Sequence, residues 1–433
     1  MRMSRMIGTY GVMVLAFCCA AFAEAAVRLV PKQYPTIQSA IDASAAGDTI
    51  EVGPGIYQES LNFGGRAITV RSTSGPTVTI VDPLAGRCLT VNAFETASTR
   101  LEGFTLRGGS ADQGGGVYVS SASPTLLNCV ITGNFAAGDA SGAGVYVSSG
   151  GPRFVGCTVS LNTGTRFGGG VYIGGGTPQF ENCHVTGNVT QYGDSAGGGV
   201  YMSGGQSTAS FVGGSVSSNV AVSRGGGVCV ESGTLTASGW QLTDNSVTSV
   251  SGGGGGGLYA GSGTVQLTSC TVRSNLSAGS GGGISSGASV SISECTLEFN
   301  ESTSGIGAWY KWSATSWMQG CRVKNNRGST VGGVANLAGN LVVTASELCS
   351  NGTNISGAWT DGGGNQFAAT CSPYCAGDAD GDGFVDAEDI AQLLAAWGFC
   401  GGAICPADFN GDGIVNGADL TFALANWGPC SDV

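Results

Sequence analysis

The sequence predicts an all-β solenoid of short stacked strands, followed by a small acidic module with helices. Three observations predict it. The stretch "GGGVYVSSASPTLLNCVITGN" (114–134) returns with altered words as far as residue 351. Glycine reaches 78 of 433 residues without any three-residue period, while proline stays at 11. Ten of the 29 acidic side chains crowd into residues 371–433, where there is no Lys or Arg.

Composition sets the outer limits. A hydrophobic share of 42% is enough for a sizeable core, and 433 residues allow two or three domains. Only 11% of residues are charged and the formal net charge is −12, so nothing supports nucleic-acid binding. At the N-terminus Arg2 and Arg5 precede an apolar run from Met6 to Ala23, and small residues follow in "AFAEAA". This reads as a signal peptide over residues 1–25 and predicts an extracellular or cell-surface protein. A membrane anchor is the weaker reading, because polar sequence follows directly with no cationic stop. A lipoprotein reading at Cys18 has the bulky Phe17 against it. No later apolar run is long enough to span a bilayer, so no transmembrane segment is expected.

The repeat is best aligned on its last residue. Asn134, Asn162, Asn188, Asn219, Asn245, Asn275, Asn300, Asn326 and Asn351 are spaced by 28, 26, 31, 26, 30, 25, 26 and 25 residues. Periods of 20–50 residues signal a solenoid or a propeller. Each repeat holds a Gly cluster, a short alternating strand, a small-polar turn and a second alternating stretch ending at Asn. Helical periodicity is absent, and propeller blades need longer units. Five residues before each Asn comes Cys129, Cys157, Cys183, Gly214, Trp240, Cys270, Cys295, Cys321 or Ser346; three before it comes an aliphatic residue, Ile131 to Leu348. Period-two spacing turns both columns inward. The thiols then pack as small hydrophobes rather than form disulfides along the column. Asn suits the corner because it tolerates left-handed backbone and its amide can bond the next rung. The Gly clusters (168–170, 197–199, 225–227, 281–283) are expected to give the same freedom at another corner. Outward, Arg273, Glu298 and Lys324 alternate in sign on neighbouring coils.

These columns resemble the right-handed parallel β-helix of the pectin-lyase-like superfamily over residues 27–370. The stretch "QYPTIQSAIDASAAGDTIEVGPGIYQESLNF" (33–63) is similar to the opening of many such chains. There a short amphipathic helix with Ile37, Ala40 and Ile41 on one face would cap the first coil, and Phe104 would stand in the Cys column. The lyases and hydrolases of that superfamily imply clustered carboxylates, often with Ca²⁺. Here residues 27–370 carry 18 acidic and 15 basic residues with no paired carboxylates at one column. Glycoside hydrolysis needs such a pair. The only His, His184, falls in an outward column and reads as a surface residue. No catalytic residue is assigned. A surface stripe is more promising: Tyr118, Tyr146, Tyr172 and Tyr201 fall in one outward column, continued by Cys229, Tyr259, Ser285, Trp309 and Ala335. Exposed aromatic rows can hold sugar rings, whereas neighbouring rings can also simply stabilise one another.

The tail carries its own repeat. "DADGDGFVDAED" (378–389) and "DFNGDGIVNGAD" (408–419) place oxygen ligands and a turn glycine at the spacing of a Ca²⁺ loop. An apolar helical stripe follows each loop: Ile390, Leu393, Leu394 and Trp397, then Leu420, Phe422, Leu424 and Trp427. Asp at the twelfth position, with one helix per loop, resembles a type I dockerin over residues 375–430, within a domain of 371–433. The resemblance implies two calcium ions. One would be held by Asp378, Asp380, Asp382, the Phe384 carbonyl and Asp389, the other by Asp408, Asn410, Asp412, the Ile414 carbonyl and Asp419. Asp386 and Asn416 would act through water. It also implies a cohesin-like or other cell-surface partner, although Ala387–Glu388 and Gly417–Ala418 replace the Ser-Thr pair common in cellulosome dockerins. Cys375, Cys400, Cys405 and Cys430 are expected to form two disulfides whose pairing stays open. Cys349 and Cys371 are expected to pair with each other.

The resulting expectation is an exported, non-catalytic β-helical surface or scaffold protein, attached through a calcium-dependent dockerin-like tail. Two alternatives stand beside it: a polysaccharide lyase or glycoside hydrolase delivered by its dockerin, and a rod that binds carbohydrate through the tyrosine stripe.

Overall fold

The computed structural model describes residues 25–369, 371, 377–379, 384–399, 407–409 and 414–429. The N-terminal apolar run (6–23) lies outside them. Four long sheets of 14, 13, 9 and 12 strands wrap one core; we number them I to IV in that order. One coil shows the path. It runs through Val117–Val119 of sheet IV, Thr125–Leu127 of sheet I, Val130–Thr132 of sheet II and Phe135–Ser141 of sheet III. Each strand pairs in parallel with its equivalent on the next coil, as in Tyr118↔Tyr146 and Ile131↔Val159. The structure is therefore an all-β parallel β-helix.

Four strands per coil replace the two that periodicity suggests. The second alternating stretch is broken at the residue before each Cys: Asn128, Asn182, Ser269 and Glu294 all adopt left-handed φ near 50°. The Cys then sits at the corner, buried as expected. A fourth short strand follows the Asn. The Asn residues themselves are not left-handed. The preceding residue is, at Gly133, Leu161, Gly187, Ser218 and Phe299 among others. A bulky side chain costs roughly 1–2 kcal/mol in that conformation. Leu161, at φ 54° and 67% exposed, bears this cost while neighbouring coils use Gly133 and Gly187. Leu161→Gly is therefore expected to raise stability by about 0.5–1 kcal/mol. A lowered midpoint in urea denaturation would contradict the assignment.

The Gly clusters divide their labour in a way the sequence reading did not anticipate. Only the first glycine is left-handed, as at Gly197 with φ 62°. The third, Gly199, is needed for space: a Cβ there would lie 2.9 Å from Asn219 Nδ2 and 2.7 Å from the Gly227 carbonyl oxygen. Glycine is thus the partner that lets the asparagine column approach the backbone.

That column is continuous over nine rungs. Each Nδ2 donates to the next Asn Oδ1 at 2.9–3.0 Å, from Asn134 to Asn351. The second Nδ2 hydrogen goes to a carbonyl of the preceding coil, as in Asn188 to Val159 O at 2.9 Å. The top rung is closed by Gly109 N and the Cys88 thiol, which donate to Asn134 Oδ1 at 2.9 and 3.5 Å. Every buried amide is thereby satisfied, which is the condition for burying it at all. Burial also pushes the Cys88 thiol up to about 12.

A second ladder, of aromatic rings, runs inside sheet I and ends on Trp240 of the Cys corner column. Phe154, Phe180, Phe211 and Trp240 stack with centroids 4.9, 4.5 and 4.6 Å apart. Such pairs add roughly 0.5–1.5 kcal/mol each beyond burial. Phe104 is fully buried in the Cys column. The inward column of sheet IV turns polar toward its C-terminal end, where Ser286, Lys311 and Asn336 succeed Val230 and Ala260. Lys311 is wholly buried, and its ammonium donates to Ala314 O, Ala338 O and Asn336 Oδ1 at 2.8, 2.8 and 3.0 Å. No sequence signal singled it out.

At the other end, helix α1 (Ile37–Asp42) starts at the N-cap Thr36 in a capping box with Ser39. It buries Ile37, Ala40 and Ile41 in the same core as Ile50 and Leu61. The Glu59 carboxylate accepts from Ile37 N and Gln38 N, both at 2.8 Å, which favours the helix N-terminus. Near the last coil Cys349 and Cys371 form a disulfide, as the leftover pair suggested. Cys375, Cys400, Cys405 and Cys430 lie outside the described residues.

In the tail, helices α2 (Ala387–Ala395) and α3 (Gly417–Ala425) are capped by Asp386 and Asn416. The two halves interlock. Phe384–Val385 pairs antiparallel with Gly428–Pro429, and Gly398–Phe399 pairs with Ile414–Val415. Val385, Leu393, Ala407, Val415 and Ala423 make a small separate core. Of the expected apolar stripes, Ile390, Leu393 and Leu420 pack against it, whereas Leu394, Trp397, Phe422, Leu424 and Trp427 are exposed.

Candidate functional site

The tyrosine column on sheet IV is real but closed. Tyr118, Tyr146, Tyr172 and Tyr201 share one register across four coils. Their rings stack at 5.6, 4.7 and 5.4 Å with interplanar angles of 11°, 5° and 19°. The flat faces that a sugar would need are thus turned on one another. The connections that lead into sheet IV cover the stripe further: Phe167 stacks on Tyr201 at 4.6 Å, and Arg87 lies over Tyr118 at 4.7 Å. Tyr201 is only 7% exposed, which corrects the expected open stripe at that rung. The register below it is corrected too. Ser285 pairs with Tyr310, so Tyr310 stands in the column, and Trp309 points into the core, where its indole donates to Ser286 Oγ at 2.8 Å. On this coil Gly307 and Ala308 stand where the preceding coil has Gly282 and Gly283, so the glycine cluster that marks the strand start elsewhere is lost and the strand pairing sets the count.

Burial, with the neighbouring Tyr172 and Tyr118 behind it, pushes the Tyr146 phenol up to about 12. An unfolded tyrosine ionises near 10. The raised value therefore corresponds to stability that is whole below pH 10 and is lost as pH rises from about 10 to about 12. Phenolate absorbance should show one fewer late-titrating tyrosine in Tyr146→Phe, since burial also pushes Tyr201, Tyr259 and Tyr57 up. Ordinary titration of every tyrosine would refute the closed stack.

Carboxylates on the helix serve structure. In the register pairs of the four sheets none faces another carboxylate: Glu298 lies between Arg273 and Lys324, and Glu347 between Arg322 and Gln366. Ion pairs follow, Arg273 to Glu298 at 3.1 Å, Lys324 to Glu298 at 3.6 Å and Arg322 to Glu347 at 3.0 Å. This is the sign alternation expected from the sequence. Asp48 accepts from Ala26 N and Ala45 N and pairs with Arg28, and the two backbone bonds hold its carboxyl below the usual range. Glu95 accepts from Gly65 N and Ala93 N. Exposed His184 bonds Ser215 Oγ, at 2.9 Å, on the next coil.

In the tail the two loops match atom for atom where they are described. Asp389 accepts from Ala379 N and Asp386 N at 2.6 and 2.8 Å; Asp419 accepts from Phe409 N and Asn416 N at 2.8 and 2.9 Å. Asp378, Asp389 and Asp419 are buried, in a segment with no Lys or Arg. Buried carboxylates in an unbalanced acidic unit fit a hard cation with oxygen ligands. Asp386 and Asn416 turn their side chains to the helix starts, accepting from Glu388 N and Ala418 N at 2.8 and 2.7 Å. Phe384 and Ile414 occupy short strands, and Asp408 is half-buried. Asp380, Asp382, Asn410 and Asp412 lie outside the described residues. Among the described residues no three acidic, His or Cys side chains converge.

Coils, columns and corner asparagines together define a protein of the parallel β-helix class. Comparison with known proteins agrees: a family model described as right handed beta helix region matches residues 90–255. Among solved structures, pectin methylesterase from carrot is similar at 11% identity with a TM-score of 0.29, over 70% of this chain and 82% of that chain. No curated protein matches. Among the described residues no helix is long and apolar enough to cross a membrane.

Proposed function

We propose that the chain is an exported, non-catalytic β-helical rod, attached to a larger assembly or a cell surface by a calcium-dependent, dockerin-like tail. The observation that carries this reading is the paired exposure of large apolar side chains on the tail. Leu394 and Leu424 are 56% and 55% exposed, and Trp397 and Trp427 are 51% and 53% exposed, at equivalent positions of the two halves. Exposed tryptophans of this kind mark interaction surfaces. The ligands would be Asp378, Asp380, Asp382, the Phe384 carbonyl and Asp389 for one ion, and Asp408, Asn410, Asp412, the Ile414 carbonyl and Asp419 for the other. The non-catalytic reading rests on carboxylates committed to ion pairs and backbone amides rather than to one another.

The test uses the full mature chain as bait on envelope extracts, with calcium or with chelator. A cohesin-like or other surface partner should be captured in calcium, released by chelator, and lost in Trp397→Ala plus Trp427→Ala. Capture that ignores calcium and both tryptophans would overturn the adhesive role. Turnover of pectin or alginate by the chain would overturn the non-catalytic one.

A further inference from the structure

The aromatic column of sheet IV is interrupted twice, and the two gaps are treated differently. Cys229 follows Tyr201, and Ser285 follows Tyr259. At the first gap the covering connection supplies Arg224, paired to Glu231 at 2.6 Å and lying 5.5 Å over the Tyr259 ring. On the next coil that covering position is Gly254. Below it comes Ser280, whose carbonyl oxygen would lie 1.7 Å from a Cβ on Gly254. Here the sheet column and its cover become small together, and a cavity of about 400 Å³ opens.

One wall of this cavity is aromatic. Trp312 stands 5.7 Å from Tyr259 and 5.6 Å from Tyr310, tilted 34° to each. The rings higher in the column are near-parallel and seal each other's faces; these are splayed and half-buried. The opposite wall is Gly252, Gly253, Ser280 and Ser304, with Val250 at the rim. No charged side chain lines the space. Among the described residues the Tyr259 and Tyr310 hydroxyls and the Trp312 indole N–H make no hydrogen bond within the protein, unlike Trp309 and Tyr172, which bond Ser286 and Ser203.

We propose that this cleft binds an uncharged sugar residue of a neutral glycan. Splayed aromatic faces suit the apolar faces of a pyranose ring, and unbonded phenol and indole groups beside serine hydroxyls suit its equatorial hydroxyls. An uncharged lining selects against uronic acids, whose carboxylate would enter without a counter-ion. The site is separate from the sealed Tyr118–Tyr201 stack and independent of the tail.

The full chain is titrated calorimetrically with cello-, xylo-, manno- and galacto-oligosaccharides, and with trigalacturonate as the acidic comparator. At least one neutral series should bind. Trp312→Ala and Tyr310→Ala should weaken it at least tenfold, Trp312→Phe should retain most of it, and Tyr146→Ala should leave it within twofold. Thermal unfolding verifies that each variant is folded. In the unmutated chain, bound oligosaccharide should also protect Trp312 from N-bromosuccinimide. Absence of binding by every neutral series, tighter binding of trigalacturonate, or binding that leaves Trp312 unprotected would overturn the proposal.

Discussion

Asn219→Ala is expected to lower stability by about 3–5 kcal/mol, the sum of several buried polar groups losing partners at about 1–3 kcal/mol each. In the folded chain Asn219 Oδ1 accepts from Asn188 N and Asn188 Nδ2, both at 2.9 Å. Its Nδ2 donates to Val185 O at 2.9 Å and to Asn245 Oδ1 at 3.0 Å. Alanine removes all four bonds at a site with no exposed surface, where water cannot replace them. Because each coil touches only its neighbours, the break should also split the transition or broaden it. Asn351, at the bottom of the column, bonds the nearby Asn354 Oδ1 at 3.0 Å, and its replacement should cost less. Urea denaturation of both variants measures the difference. A loss below about 1 kcal/mol at Asn219 would mean that the ladder is decoration.

Lys311→Ala is expected to cost a similar amount, about 3–5 kcal/mol, from a cavity plus abandoned acceptors. The ammonium alone satisfies the inward carbonyls of Ala314 and Ala338 and the Asn336 side-chain oxygen, without a carboxylate partner among its hydrogen bonds. Lys311→Met keeps most of the volume and removes the buried charge, so its loss should be smaller. Burial lowers the Lys311 pKa below its ordinary 10.5. The free chain therefore holds this proton to higher pH than the folded one does. The charge opposes folding below the folded pKa, and the opposition fades as pH rises from there toward 10.5. Wild type should gain stability in that window relative to Lys311→Met, before the tyrosine loss above pH 10 sets in. A flat difference between the two would place the ammonium in solvent.

The columns explain how much could be read beforehand. Burial of Cys129 and Ile131 follows from spacing alone, since a stack repeats each side chain's environment coil after coil, whereas Asn134 is turned inward by the left-handed Gly133 before it. The same logic found the aromatic column, but it could not judge its openness. That depends on Phe167, Arg87 and Arg224, which come from the connections leading into sheet IV and have no fixed spacing to the tyrosines. Trp309 is misplaced by the sequence because Ile306, Gly307 and Ala308 replace the glycine cluster that marks the strand start on the preceding coil; a one-residue error reverses every face in a strand, and hydrogen-bonded pairing sets the register.

What the sequence by itself determined is periodic. The all-β coil, the asparagine column, the inward thiols and aliphatics, and the Cys349–Cys371 pair all follow from side chains that recur or are left over in number. Tertiary structure alone decided which residue takes the left-handed corner, which glycine yields space to an amide, where a lysine is buried, and where the aromatic cleft opens. Those outcomes depend on distances between segments that no chain spacing encodes, because the connections vary in length while the stacked strands do not.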